Sequence, residues 1–217
     1  MPIADRRSFI REHTRLQSPP HVPELRLHLA DDATPLWRLT EPELEALGLP
    51  APFWAFAWAG GQGLARYVLD HPDEVAGRRV IDFAAGSGVA AIAAMRAGAV
   101  SALAADIDDF CAAAVALNAE ANGVEVAFTA DDLLDAPPPP ADLILAGDIC
   151  YESPLADRVI AWLTAARSRG ARVLIGDPGR TYFPKDGLTR LAEYRTSTPH
   201  GLEDQEVRRT GVWELEP

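Results

Sequence analysis

Short apolar runs alternate with amphipathic helical segments along the chain from residue 77 onward. The apolar runs predict strands at 79–84, 102–107, 124–129, 143–149 and 173–177. Apolar positions at helical spacing predict helices at 89–96, 109–121 and 154–167, and two further strands follow near 192–196 and 207–215. Repeated strand–helix units indicate an α/β fold with a mostly parallel sheet and helices on both faces. Such sheets bind ligands at the carboxyl ends of their strands.

The first 75 residues follow a different pattern. They predict a helix at 8–16, a strand around Leu27, a helix that begins at a capping Thr40 and stops before Pro50, and a helix at 63–70. An aromatic segment at 52–58 and a glycine-rich turn at 60–63 connect the last two helices. We therefore predict an N-terminal extension, residues 1–75, that packs on a second unit formed by residues 76–217.

The charge balance limits the class of partner. The 217 residues include 20 Lys+Arg and 32 Asp+Glu, a formal net charge of −12. This balance disfavours non-specific nucleic-acid binding and suits a basic partner, although solubility explains it equally well. No apolar run has the length of a membrane span and the N-terminus lacks a signal peptide, so we expect a cytoplasmic protein without a membrane partner. Two unrelated cysteines and five scattered histidines predict no metal site.

Acidic side chains follow three consecutive predicted strands. The segment from Asp82 to Gly88 lies where the first strand of the repeat turns into a helix, and its glycines allow a ligand to approach the backbone closely. Asp106 follows the next strand, about twenty residues after Gly86, at a position suited to the two hydroxyls of a ribose. Asp131 follows the third strand, where a carboxylate can accept a hydrogen bond from an adenine amino group.

Two cofactor classes fit this pattern. Gly86, Gly88 and Ala91 match the dinucleotide fingerprint in form, which would indicate an NAD(P)-dependent oxidoreductase. S-adenosylmethionine is the alternative, because an acid at Asp82 suits a methionine ammonium group and would repel a pyrophosphate. The chain also lacks an obvious group for hydride transfer.

The motifs as a set resemble the seven-β-strand S-adenosylmethionine-dependent methyltransferases. The loop has Asp82, Gly86 and Gly88 in place and departs from the family pattern at Ala84, while D-x-x-Y at Asp148 to Tyr151 resembles the family 16-like protein lysine methyltransferases. The strings FWAFAWAGGQ, GDICYE and GDPGRTY are similar to the electron transfer flavoprotein β-subunit lysine methyltransferases. This resemblance covers nearly the whole chain. It implies a Rossmann-like class I methyltransferase fold with a seven-stranded sheet.

The resemblance also implies the site residues. The cofactor-binding candidates are Trp54, Asp82, Ala84, Gly86, Gly88, Asp106, Ile107, Asp131, Asp132 and Gly147. The catalytic candidates are Asp148, which can hold an incoming ammonium, and Tyr151, which offers a ring face to an alkylated ammonium. A structural interpretation, in which Asp148 caps the next helix and Tyr151 packs, stays open, as does the choice between Asp148 and water as acceptor of the lysine proton. The substrate-binding candidates are Trp58, Gln62, Glu152, Asp177, Arg180 and Tyr182.

Several of these candidates also have a structural interpretation. Trp54 and Trp58 are four residues apart and would share one face of a helix, either in the core or beside the methyl group. Gln62 would bind the methionine carboxylate or the lysine site. Asp177 and Arg180 would shape a peptide channel or form a surface ion pair.

The sequence thus predicts a protein-lysine N-methyltransferase. The resemblance implies the electron transfer flavoprotein β subunit as its substrate, and we expect a monomer. Methylation of another protein, such as a ribosomal protein, or of a small amine remains open, as does a cofactor-binding module without activity.

Overall fold

A seven-stranded sheet forms the centre of the molecule in a computed structural model, which describes residues 3, 5–31, 34, 36, 41–46, 48–49, 51–197 and 207–216. The sheet consists of β3 (Arg79–Phe83), β4 (Ser101–Ala105), β5 (Ala127–Thr129), β6 (Leu143–Gly147), β7 (Arg172–Asp177), β8 (Leu188–Ser197) and β9 (Val207–Leu215). The strand order is β5-β4-β3-β6-β7-β9-β8. The first five strands in this order are parallel, and β9 pairs antiparallel with both β7 and β8. The predicted seven-stranded, mostly parallel sheet is confirmed.

Helices cover both faces of the sheet because its strands carry apolar side chains on each side. They are α3 (Ala59–Asp70), α4 (Val89–Arg96), α5 (Phe110–Asn122) and α6 (Leu155–Ser168). One apolar cluster joins α3, α4 and α5 to the sheet, and a second joins α6 to the opposite face. The chain order reverses between β3 and β6, so the carboxyl ends of these two strands flank the crevice where ligands bind in such sheets.

The N-terminal residues lie along α5. They form α1 (Arg6–His13), the hairpin of β1 (Arg15–Gln17) and β2 (Leu27–Leu29), and α2 (Glu41–Ala46). Asn118 of α5 accepts the His28 N–H at 2.7 Å and donates to the carbonyl of Ser87 in the glycine loop at 2.9 Å. Asn122 exchanges two hydrogen bonds with the backbone of Arg26. This segment is thereby connected to the glycine loop through α5.

Several local predictions differ from the structure. The predicted helix at 8–16 ends at His13, because residues 15–17 pair with β2 instead. The predicted strand at 124–129 is shorter, covering Ala127–Thr129. The glycine-rich turn at 60–63 is the first part of α3, which begins at Ala59. Thr40 and Pro50, the predicted limits of the α2 helix, lie outside the described residues.

The predicted division at residue 75 stays a prediction. The helix α3 falls within the proposed extension, yet it packs against α4, β6, β7 and β9. Within the described part of the chain, none of the helices is long and apolar enough to cross a lipid bilayer.

Candidate active site

The glycine loop joins β3 to α4 through three residues with left-handed backbone. Ala84 has φ 55°, Gly86 has φ 50° and Gly88 has φ 76°. Gly88 also allows close packing, since a Cβ there would lie 3.0 Å from the Val115 side chain of α5. Ala84 adopts this strained conformation without being glycine, which shows how the loop accommodates its departure from the family pattern.

Two carboxylates fix the loop from opposite sides. Asp106, which follows β4, accepts the Gly86 N–H at 2.9 Å and the Asp108 N–H at 3.0 Å. Asp82, at the end of β3, is 3% exposed and accepts the Ala91 N–H in the first turn of α4 at 2.9 Å. Burial raises the pKa of Asp82 to about 8, and the nearby charge of Asp106 adds to this shift.

Asp82 is buried with one carboxylate oxygen on the Ala91 N–H. Its contact with a ligand ammonium, directly or through water, stays a prediction. Asp106 is half-buried at the loop surface, as its predicted role with a ribose requires.

The ends of β4 and β5 lie side by side. Ile107 is 75% exposed beside Asp106, and Asp131 accepts a hydrogen bond from the Thr129 hydroxyl at 2.8 Å. Asp132 caps the short 3-10 helix Leu133–Asp135 by accepting the Leu134 N–H. A cavity of about 330 Å³ opens next to this edge between the N-terminal segment and α5, lined by Ile3, Arg6, Gly48, Ile107, Asp108, Asp109 and Phe110. The structure therefore groups Asp106, Ile107 and the loop, and it keeps Asp131 and Asp132 exposed at the neighbouring strand end.

Close backbone packing positions Asp148 after β6. A Cβ on Gly60 would lie 2.2 Å from the Gly176 carbonyl oxygen and 2.6 Å from Asp148 Oδ2, and a Cβ on Gly147 would lie 2.8 Å from the Gly61 nitrogen. Glycines at these positions let the first turn of α3 contact the ends of β6 and β7. As a result, the Gly61 N–H, which lies in the first turn of α3 and has no acceptor within the helix, donates to Asp148 Oδ2 at 3.1 Å.

Arg180 forms a buried ion pair with the same carboxylate. Its Nη2 lies 2.7 Å and its Nε 3.2 Å from Asp148 Oδ1, with side-chain exposures of 18% for Arg180 and 10% for Asp148. The guanidinium carbon is 5.9 Å from the centre of the Trp58 ring. The sequence left open a surface ion pair or a channel for Arg180, and the structure places it inside the candidate site.

Asp177 ends β7 next to this pair. Its Oδ1 accepts the N–H groups of Gly179 and Arg180, each at 2.7 Å. Its Oδ2 is buried, and no donor among the described residues reaches it. Burial raises the pKa of Asp177 to about 6, with a further contribution from the charge of Asp148.

Aromatic side chains form an open rim beside the pair. Phe53 is 54% and Tyr151 51% exposed, and their ring centres are 6.4 Å apart. The Phe53 ring also contacts Trp58 at 5.8 Å. Partial burial and the charges of Glu152 and Asp106 raise the pKa of Tyr151, so its phenol stays protonated at neutral pH. Glu152 and Tyr182 are exposed.

Two predicted site residues have buried side chains. The Trp54 ring is fully buried and stacks on Phe110 at 5.7 Å, and its role in cofactor binding stays a prediction. The side chain of Gln62 is also buried, donating to the Ala57 carbonyl and accepting the His21 N–H. Its amide thus connects the N-terminal segment to α3, and its role in binding stays a prediction. Trp54 and Trp58 do not share a helix face, because a 3-10 turn at Phe53–Ala55 and an extended Phe56 separate them.

Sequence reasoning missed Phe53 and the glycine contacts of α3. Phe53 belongs to the aromatic segment at 52–58, but the sequence pattern does not indicate which aromatic residue of this segment lies beside Tyr151. The pairing of Gly147 with Gly176 across adjacent strands and the Gly60–Gly61 pair were visible signals of close backbone approach.

Sequence comparison finds related methyltransferases. Residues 66–153 match the family model described as ribosomal protein L11 methyltransferase (PrmA). The electron transfer flavoprotein beta subunit lysine methyltransferase of Xenopus laevis is 42% identical over 97% of this chain and 87% of its own length. The enzyme of the same name from Danio rerio is 37% identical over 96% of this chain and 83% of its own.

Solved structures support the fold. A ribosomal protein L11 methylase from Lactobacillus delbrueckii aligns with a TM-score of 0.52 and 23% identity, over 73% of this chain and 79% of that one. A magnesium protoporphyrin IX methyltransferase from Synechocystis, solved with bound S-adenosylmethionine, aligns with a TM-score of 0.52 and 17% identity, over 72% and 78%. The chain has the class I methyltransferase fold, and by its similarity to the curated relatives it belongs to the electron transfer flavoprotein β-subunit lysine methyltransferases, a family of S-adenosylmethionine-dependent enzymes.

Proposed function

We propose that this enzyme methylates lysine side chains of the electron transfer flavoprotein β subunit. The names of its relatives support this substrate. The structural observation that carries the proposal is Asp148, a buried carboxylate at the carboxyl edge of the sheet whose partner Arg180 lies over the Trp58 ring. A carboxylate next to a ring face is the arrangement that a lysine ammonium requires.

The residues at the ends of β3 and β4 fit S-adenosylmethionine. The Asp106 carboxylate can accept hydrogen bonds from both hydroxyls of a ribose, and the exposed Ile107 side chain beside it offers apolar surface to an adenine. The left-handed loop at Ala84, Gly86 and Gly88 presents its backbone to the methionine portion. When bound, the cofactor supplies an activated methyl group on sulfur.

The residues at the ends of β6 and β7 would orient the acceptor. Asp148 would hold the incoming ammonium by charge and hydrogen bond, while Tyr151 and Phe53 would surround the lysine side chain with ring faces. Orienting the acceptor and excluding water are the main demands of methyl transfer, since the sulfonium is already reactive.

The lysine must also lose a proton before it attacks. Asp148 is a poor base because Arg180 and the Gly61 N–H already stabilise its charged form. The raised pKa of Tyr151 keeps the phenol neutral and unable to accept a proton. The exposed rim at Phe53 and Tyr151 gives the ammonium access to water, and we assign the proton to solvent.

The charge of the enzyme favours a basic target. A net charge of −12 attracts a lysine-bearing basic segment over a distance limited by salt screening. A higher salt concentration should therefore slow the methylation of a folded protein more than that of a short peptide.

The test uses the purified enzyme, methyl-labelled S-adenosylmethionine, recombinant electron transfer flavoprotein and, separately, a cell extract. We expect label in the β subunit with the wild-type enzyme and a loss of about a hundredfold or more in Asp148→Ala, which removes the ammonium contact. Label in a different protein would contradict the substrate and keep the chemistry. Absence of protein label despite cofactor binding would indicate a small amine as acceptor.

A ribosomal protein is the second candidate substrate. The family model that matches residues 66–153 carries ribosomal protein L11 in its description. That match covers the loop, Asp106 and Asp148 but ends before Asp177 and Arg180. The cell-extract arm of the same experiment distinguishes the two substrates.

A further inference from the structure

Arg180 occupies the place that a substrate ammonium needs. It combines an ion pair to Asp148 at 2.7 Å with a tryptophan ring face at 5.9 Å. A carboxylate and an aromatic face are also the two features by which the proposed site would hold lysine. The incoming ammonium and the Arg180 guanidinium therefore compete for one carboxylate.

A second carboxylate, that of Asp177, lies close enough to be an alternative partner for the guanidinium. The backbone N–H of Arg180 is anchored to Asp177 Oδ1, while Asp177 Oδ2 is buried without a donor among the described residues. Leaving a buried carboxylate oxygen unpaired is costly, so a guanidinium that reached Oδ2 would remove that cost. Arg180 thus has one occupied and one vacant acceptor on adjacent strands.

We propose that Arg180 holds Asp148 in the resting enzyme as an internal stand-in for lysine, and that it moves to Asp177 when the substrate lysine enters. This inference rests on the proposed function, because it assumes that Asp148 receives the acceptor. It makes Arg180 a positioning residue that sets the affinity for the lysine head group.

The charge count supports the exchange. Two ionised carboxylates with Arg180 alone carry a net charge of −1, and the lysine ammonium brings the group to zero. The groups that face Asp177 are Asp148, Arg180 and the Cys150 thiol, whose own pKa burial raises to about 12. The pKa of Asp177 is about 6, so arrival of the guanidinium releases a proton when the pH is below or near this value.

The first test compares Arg180→Gln with the wild type in steady-state methylation of the β subunit. We expect KM for the β subunit to fall about fivefold, because the competing cation is gone. We also expect kcat to fall, because two uncompensated carboxylates then stabilise the charged lysine. Arg180→Lys should restore KM toward the wild-type value. An unchanged or higher KM in Arg180→Gln would overturn the proposal, since a static structural arginine gives that result.

A matched control is available in the same protein. Arg190 also pairs with a carboxylate, Glu193, and lies 5.7 Å from the centre of a tryptophan ring, Trp213. This pair is exposed and lies on β8, outside the candidate site. Arg190→Gln should leave both KM and kcat unchanged.

Asp177→Asn tests the second position of the guanidinium. With no carboxylate to receive Arg180, KM for the β subunit should rise. This KM should also no longer vary between pH 5.5 and 7.5. A wild-type KM with a wild-type pH profile in this variant would overturn the exchange. Cofactor affinity by calorimetry, expected within about twofold of wild type, shows that each variant is folded.

A measurement without turnover separates this proposal from the proposed function. Nα-acetyl-lysine amide is titrated into the enzyme with S-adenosylhomocysteine bound, while tryptophan fluorescence is followed. Departure of Arg180 from Trp58 should change the signal in the wild type, and this change should be absent in both Arg180→Gln and Trp58→Phe. If the Trp58-dependent signal is seen but the β subunit is not labelled, the proposed role of Arg180 is supported and the proposed substrate is contradicted. A labelled β subunit without any Trp58-dependent signal would overturn the role of Arg180.

Discussion

The carboxyl edge of the sheet has two halves that use acidic side chains differently. In the β3–β5 half, Asp82 and Asp106 accept backbone N–H groups and hold the glycine loop in shape. In the β6–β7 half, Asp148 pairs with a guanidinium and Asp177 keeps one buried oxygen unpaired among the described residues. The first half is held by backbone hydrogen bonds, and the second holds the charges that we propose change partners. A cofactor that stays bound during a turnover suits the first half, and an acceptor that comes and goes suits the second.

The largest expected effect is the loss of cofactor binding in Asp106→Ala. Removing the carboxylate removes two hydrogen bonds to the proposed ribose and also leaves the Gly86 N–H without its acceptor. At about 1.5 kcal/mol for each bond to a charged group, affinity should fall at least about a hundredfold. Calorimetric titration with S-adenosylhomocysteine measures this change.

Asp142→Ala is the matched control for this variant. Asp142 also accepts a backbone N–H, that of Arg79, but it does so at the opposite edge of the sheet. Its loss should leave cofactor affinity unchanged. Equal affinities in the wild type and Asp106→Ala would remove the ribose assignment.

The converse pattern is expected for Asp148→Ala. Cofactor affinity should stay within about threefold of wild type, because Asp148 belongs to the other half of the edge, while methyl transfer should be lost. The measurement is the same titration combined with the transfer assay. A parallel loss of binding and transfer would show that the two halves act as one site.

The sequence predicted the β3–β5 half better than the β6–β7 half, for a physical reason. A glycine loop followed by an acid after the next strand is local chain geometry, so Asp82, Gly86 and Asp106 were recognisable from spacing. The pairing of Asp148 with Arg180 joins residues 32 apart through the packing of α3, β6 and β7, which no spacing encodes. The burial of Trp54 and Gln62 has the same origin, since it comes from tertiary packing that no spacing encodes.

The next largest effect is a loss of stability when the close contact between α3 and the ends of β6 and β7 is disrupted. In Gly60→Ala, the new methyl group would meet the Gly176 carbonyl and Asp148, whereas in Gly61→Ala it meets the Val89 side chain at 3.1 Å. We expect Gly60→Ala to lower the free energy of unfolding by about 1–3 kcal/mol and Gly61→Ala to lower it less. Urea denaturation of both variants measures the difference. Equal stabilities would show that α3 can shift away from the strand ends without cost.

A further expected effect is a change in the pH dependence of stability in Asp82→Asn. The folded-state pKa of Asp82 is raised to about 8, above its ordinary value of 3.8, so the folded state keeps a proton that the unfolded state has lost. The stabilising contribution of this proton is complete below pH 3.8 and is lost as the pH rises through about 8. The free energy of unfolding of the wild type should therefore fall relative to that of Asp82→Asn as the pH rises across this window. The asparagine keeps an oxygen that can accept the Ala91 N–H, so the loop should hold its shape. Urea denaturation at several pH values between 5 and 9 measures the difference, and parallel curves for the two proteins would show that Asp82 is ionised in the folded state. That outcome would mean that the β3–β5 half holds a buried ionised carboxylate, as the β6–β7 half does at Asp148.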